Sequence, residues 1–272
     1  MLRSRFQRLL GILGTCAALA ILGFLLLPLF VVATAAFNSS ALPSFPPQNL
    51  SLRWFANAIG YPDFRTGFLN SLVVTPWSAS IALLIGATFA LAIERYEFRF
   101  KSLLEGILLS PLFVPHFTIG LAFLTLAVQM NLVNTYAIVI ACHVILVLPF
   151  VLRSVYISLR NFDRRLELAA ASLGAPPRRV LATVTLPMLM PGLVSGWLFG
   201  VLLSFNEFTA SLFLTGQRTQ TLPVAMYNYV RDYADPSMAA LAIMYIVGVA
   251  VLLTIANTFL GLGKVLNVER RT

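Results

Sequence analysis

The chain alternates long apolar runs with short polar interludes. Nearly continuous apolar stretches cover residues 9–37, 67–93, 103–128, 135–156, 188–214 and 238–262. Each is long enough to cross a hydrocarbon core of roughly 30 Å, for which a helix needs about 20 residues. Lipid offers backbone groups no hydrogen-bond partner, so each run is expected to be a helix, which satisfies those groups internally. A membrane barrel requires alternation with a period of two, and the runs lack it. The pattern thus predicts an all-α, polytopic membrane protein with about six transmembrane helices. Pro28, Pro76, Pro111, Pro115, Pro149 and Pro191 fall within or beside the runs. They predict kinks whose freed carbonyls neighbouring helices can re-satisfy.

Composition agrees. Of 272 residues 59% are hydrophobic and 11% charged, with a mean hydropathy of +0.87, against roughly 45–50% apolar and about 25% charged in soluble domains. No internal repeat or low-complexity tract divides the chain, so one bundle is expected. The opening MLRSRFQR and the apolar run ending at Ala33-Thr34-Ala35 imitate a secretory leader. That run is about twice the usual leader core of about 7–15 residues, which predicts an uncleaved anchor. Leu13-Gly14-Thr15-Cys16 is a poor lipidation site, and Cys16 and Cys142 have neither disulfide nor metal-ligand spacing.

Charge orients the spans. With the amino terminus inside, the inner side carries Arg3, Arg5, Arg8, Arg95, Arg99, Lys101, Arg153, Arg160, Arg164, Arg165, Arg178, Arg179, Lys264, Arg270 and Arg271. Of the 19 basic residues this leaves only Arg53, Arg65, Arg218 and Arg231 outside, the asymmetry expected when basic flanks stay in the cytoplasm. Both termini are thus expected to be cytoplasmic, and the net charge of +9 is explained by anionic lipid without nucleic acid. Two longer connections, 38–66 and 216–236, fall outside, the first with interfacial aromatics Trp54, Phe55 and Tyr61.

The longest inner connection, 157–185, contains LELAAASLGAPPRRVLATVTLP from Leu166 to Pro187. Asp163 can cap a helix over 164–173, Gly174 suits the left-handed position that ends it, and Pro176 and Pro177 forbid its continuation. Pro177 is placed to open a second short helix through about Leu186. Ala169, Ala170 and Ala171 leave the first helix open to close approach, and Leu166, Leu168 and Leu173 can anchor it in a partner's groove. The alternative is an amphipathic loop folded on the bundle or on headgroups.

This segment resembles the cytoplasmic signature of ABC-importer permease subunits, E-A-A-x-x-x-G followed by I-x-L-P. Ala169, Ala170 and Gly174 fall on its first half; Val184, Leu186 and Pro187 fall on its second, after nine intervening residues. Leu168 stands where the signature has its Glu, and Glu167 lies one residue earlier, turned about 100° around a helix. The resemblance extends over Leu72 to Leu262. Ser204-Phe205-Asn206-Glu207-Phe208, Thr221-Leu222-Pro223-Val224 and Tyr227 are similar to spermidine/putrescine-type permeases, with opine and aminophosphonate relatives sharing the pattern.

The resemblance implies a type I ABC importer permease fold in the bacterial inner membrane: an anchor and external loop over 1–66, a permease domain over 67–265 with its coupling loop at 157–187, and a tail over 266–272. It implies a second permease subunit of a different chain, a cytoplasmic ATPase dimer and an external solute-binding protein. ATP is held by the partner, and this chain needs no cofactor. Glu167, Leu168, Ala169, Ala170, Gly174, Ala175, Val184, Leu186 and Pro187 would form the contact to the ATPase. The implied solute is a polyamine, with opine, aminophosphonate or metal as alternatives.

Within the spans the notable polar residues are few. Glu207 sits where a central charge costs roughly 2.5–3.5 kcal/mol on insertion. Either it lines a pathway for a cationic solute with Ser204 and Asn206, or it pairs with a polar group on another span. His116 and His143 are expected in interhelical hydrogen bonds rather than a proton relay, and Asp232 and Asp235 to be solvated, with contact to the external binding protein as the alternative. No phosphate-binding G-x-x-x-x-G-K-[ST] loop, G-x-S-x-G turn or carboxylate pair appears, so the chain is expected not to be an enzyme. A stand-alone secondary transporter would require more intramembrane acids or paired broken helices; a passive scaffold is the third alternative.

Overall fold

The computed structural model describes residues 2–41, 49–233 and 235–260. Lys264, Arg270, Arg271, the tail 266–272 and the end of the sixth apolar run lie outside the described residues. Among the described residues the regular structure is helical, with one isolated bridge between Asn38 and Leu50.

In chain order the helices are α1 (Leu2–Ala36), α2 (Arg53–Gly60), α3 (Pro62–Arg95), α4 (Lys101–Leu109), α5 (His116–Met130), α6 (Tyr136–Arg160), α7 (Arg165–Ser172), α8 (Pro177–Val180), α9 (Leu186–Phe205), α10 (Ser211–Leu214), α11 (Leu222–Asp232) and α12 (Ser237–Leu260). Among the described residues four helical stretches are long and apolar enough to cross a bilayer: Gly11–Ala36, Pro62–Arg95, Tyr136–Arg160 and Pro177–Phe205. A bent pair, Lys101–Leu112 with His116–Met130, makes a fifth, and α12 is a further apolar helix.

Two apolar runs depart from the simple expectation. The third is broken rather than kinked, its halves meeting at 101°. Pro111 and Pro115 lie close together there, where the helix loses two N–H donors and gains two ring clashes. Pro28, Pro76, Pro149 and Pro191, each alone, stay inside continuous helices. The fifth run ends early, at Phe205, and resumes as the short α10. Its beginning is also different: the second short helix expected after the prolines is not separate. Pro177–Val180, a π turn over Leu181–Thr185 and Leu186–Phe205 join into one rod of 29 residues.

The chain divides into two compact units. In the unit formed by 1–61 and 229–253, residues 11–31 of α1 are exposed throughout. Its small core gathers Ala36, Trp54 and Ala240, with Trp54 Nε1 donating to the Asn38 carbonyl at 2.7 Å. Tyr229 and Tyr233 stack at 4.7 Å, and Tyr61 meets Tyr229 edge-on at 4.9 Å.

The unit containing 62–228 is organised around α6. Val139, Cys142, Val147, Val151, Leu152 and Val155 of this helix are buried, flanked by α3 on one side and α9 on another. A Cβ on Gly86 of α3 would lie 3.1 Å from the Leu152 backbone nitrogen, which shows how closely these axes run. Ala90, Val155, Leu159 and Leu189 continue this core toward the α7 end.

Candidate functional site

The segment after α6 folds as a corner. Asp163 Oδ1 accepts the Arg165 N–H at 2.9 Å and closes the first turn of α7. The helix stops because Gly174 takes φ +85°, a conformation that L side chains resist. The Gly174 N–H bonds the Ala171 carbonyl at 2.9 Å and the Ala175 N–H bonds the Ala170 carbonyl at 3.2 Å, the double closure of a Schellman motif. Pro176 is extended and Pro177 opens α8.

The corner offers its apolar residues outward: Leu173 is 89% and Leu168 66% exposed. Ala169, Gly174, Leu186 and Pro187 are exposed, while Ala170, Ala175 and Val184 are half-buried. Glu167 faces the other way. Its carboxylate accepts from the Arg95 guanidinium at the last turn of α3 and from the Thr185 hydroxyl at the end of the π turn. The Arg95 and Glu167 side chains are 24% and 14% exposed. The carboxylate is therefore occupied within the chain, and the outward position belongs to Leu168.

A second carboxylate sits where two broken helices meet. Glu207 follows α9, and its Oε1 accepts the Ala210 N–H at 2.8 Å just ahead of α10. Its Oε2 accepts from His116 Nδ1 at 2.7 Å, at the first residue of α5. The Glu207 side chain is 9% exposed and that of His116 47%. No partner for Glu207 was legible from the sequence; the structure supplies His116. The two helices can approach because Gly120 has no side chain, a Cβ there falling 2.8 Å from the Ala210 Cα.

Ser204 is buried against His143 rather than open to a pathway. The Ser211 hydroxyl donates to the Glu207 carbonyl at 2.9 Å, so it accepts from His143 Nε2–H at 2.8 Å. Nδ1 is left to accept from Ser204 at 2.7 Å, and a neutral imidazole then satisfies every bond. Asn206 is exposed and donates to the Leu202 carbonyl at 2.7 Å.

At the opposite end of α3, Asn70 donates to the carbonyls of Arg218 and Gln220 at 3.0 and 2.8 Å and accepts from Tyr136 at 2.6 Å. Ser71 Oγ accepts the Leu222 N–H at 2.9 Å. Part of the connection expected as a loop over 216–236 is thereby pinned to α3 and leads into α11. Asp235 is not simply solvated, since it accepts from Tyr229 Oη and from the Ser237 N–H, both at 2.8 Å. Asp232 pairs with Arg231 in the open. Burial pushes the Tyr229 phenol pKa upward.

The family model for the inner membrane component of binding-protein-dependent transport systems matches residues 82–260. The chain belongs to this family. The permease is 29% identical over 245 residues to the spermidine/putrescine transport system permease protein PotC of Escherichia coli (strain K12), covering 90% of this chain and 92% of the relative. It is 29% identical over 239 residues to the putrescine transport system permease protein PotI of the same strain, covering 84% and 83%. It is 30% identical over 237 residues to the putative 2-aminoethylphosphonate transport system permease protein PhnV of Salmonella paratyphi A, covering 86% and 88%.

A solved bacterial ABC transporter involved in the import of the acidic polysaccharide alginate shares the fold, with a TM-score of 0.75 at 15% identity over 94% of this chain and 98% of its own. The protein is thus an all-α, multi-pass inner-membrane permease of an ABC importer, a family of transport components rather than enzymes, which works with ATPase and binding-protein partners.

Proposed function

We propose that this permease and a second, different permease chain form the import pathway for a polyamine of the spermidine or putrescine kind, with a cytoplasmic ATPase dimer supplying energy and an external binding protein delivering the solute. The observation that carries the coupling role is the α7 corner. A short capped helix exposes Leu168 and Leu173 and passes through Gly174 and two prolines into a rod ending at Phe205. Such a helix fits a partner's groove as a rigid knob, and displacement of the knob moves the rod it is built into. Ala169, Ala170, Gly174, Ala175, Val184, Leu186 and Pro187 form its surface and hinge. The sequence asymmetry of the basic residues, 15 of 19 of which flank one side of the spans, supports cytoplasmic termini.

Reversing a 99:1 preference between inward-open and outward-open states takes about 5.5 kcal/mol of differential binding, so ATPase closure and the docked binding protein share the task. The polyamine assignment is supported by the likeness to PotC and PotI over most of the chain. The likeness to PhnV favours 2-aminoethylphosphonate as a second reading. In either case Glu207, with the exposed Asn206, marks the pathway wall, while Ser204 lies behind it against His143, and the bond of Glu207 to His116 is the contact a passing ammonium group would exchange.

Co-expression with the neighbouring transport subunits should yield a complex whose ATP hydrolysis and uptake are stimulated by one of spermidine, putrescine or 2-aminoethylphosphonate with its binding protein. Uptake by this chain alone in ATP-free vesicles would sink the proposal.

A further inference from the structure

We infer that Arg95, Glu167 and Thr185 form a strut that makes α3 follow the α7 corner, so that Glu167 acts within this chain and not on the ATPase. This rests on the permease reading above. The corner is joined covalently to α6 through residues 161–164 and to α9 through the π turn. It has no such link to α3, from which residues 96–164 separate it. Arg95 is that missing link, holding the Glu167 carboxylate and lying 3.4 Å from Thr185 Oγ1. Each partner stands where its helix favours its charge, the cation in the last turn of α3 and the anion in the first turn of α7.

Thr185 is fully buried, which ties the carboxylate to the rod as well. The core of Ala90, Val155, Leu159 and Leu189 packs α3, α6 and α9 together in this unit. A displacement of α7 therefore reaches all three helices: two through the chain and one through the ion pair. The one-residue offset from the signature now has a physical reading, because it turns Leu168 out to the partner and Glu167 in to Arg95.

The test uses the complete complex with Arg95→Glu, Glu167→Arg and the double exchange R95E/E167R. ATPase copurification, ATP hydrolysis and solute uptake are measured on each. Each single variant is expected to keep the ATPase bound and hydrolysing, while uptake per ATP falls about tenfold, within the usual range of coupling between sites. The double exchange is expected to restore uptake per ATP to within about threefold of the unmodified complex. Should a charge reversal fail to insert, Arg95→Gln and Glu167→Gln are read by the same criterion, with Arg95→Lys intermediate because a point charge replaces a planar fork.

Loss of the ATPase from a Glu167→Gln complex would overturn the inference, as would single variants with unchanged uptake per ATP or a double exchange no better than the singles. Absence of ATP-driven uptake in the unmodified complex would instead strike the permease reading and take this inference with it.

Discussion

Glu167 and Glu207 are both carboxylates that tie separate helices together, yet they sit in different surroundings and do different work. Glu167 lies at the end of the unit that carries α7, beside an arginine that is always charged. Glu207 lies between two broken helices, and its partner is a histidine, whose charge is conditional. The first pair can be pulled on without losing its attraction, which suits a mechanical link. The second can be opened by whatever replaces His116, which suits a contact made and broken along a route. The same side chain serves as strut or latch according to the permanence of its partner's charge.

The largest expected effect separates the two by stability. Glu207→Ala leaves the buried Ala210 N–H, as well as His116, without an acceptor and is expected to cost about 2–3 kcal/mol, as leaving a buried donor unpaired does; thermal unfolding of the purified complex in detergent measures it. Glu167→Ala leaves no backbone donor unpaired, and the Arg95 guanidinium can turn toward water, so it is expected to cost only about 1 kcal/mol by the same measurement. Equal losses at the two sites would erase the distinction.

Gly120→Ala attacks the latch without touching either charge. Its Cβ would press on the Ala210 backbone, and overpacking of this kind costs about 1–3 kcal/mol. An unshifted melting temperature for Gly120→Ala would show that the approach of α5 to α10 is looser than described.

Gly174→Ala forces an L side chain to φ +85° in open space, with an expected cost of about 1–2 kcal/mol. The corner is exposed, so this strain should appear as reduced uptake per ATP with ATPase still bound, not as loss of the complex. The smallest effect is expected for Glu207→Gln, which keeps the shape and one acceptor and should change stability by about 1 kcal/mol. Its informative readout is uptake, and unchanged uptake and affinity for every solute would remove Glu207 from the pathway.

What the sequence made legible was local. Gly174 and Pro177 could be placed because the conformations they impose depend on neighbouring residues only. The resemblance carried the family, and the apolar runs carried the helical class. Arg95 and His116 escaped notice as partners because each lies far along the chain from the carboxylate it meets, 72 residues in one case and 91 in the other. The break after α4 was readable only as a kink, since a single proline within a membrane helix is tolerated and nothing in one sequence says that two together are not. Likewise the fusion of α8 with α9 depends on a π turn, which has no pattern of apolar positions to announce it.

That turn, Leu181–Thr185, has a consequence of its own. A π turn winds one more residue into a loop of helix than an α turn does, and one residue corresponds to about 100° of rotation. The five residues thus clock the knob against the rod, setting the azimuth at which Leu168 and Leu173 point. A single-residue deletion there would leave composition, length and hydropathy almost untouched while swinging the docking face away from its partner.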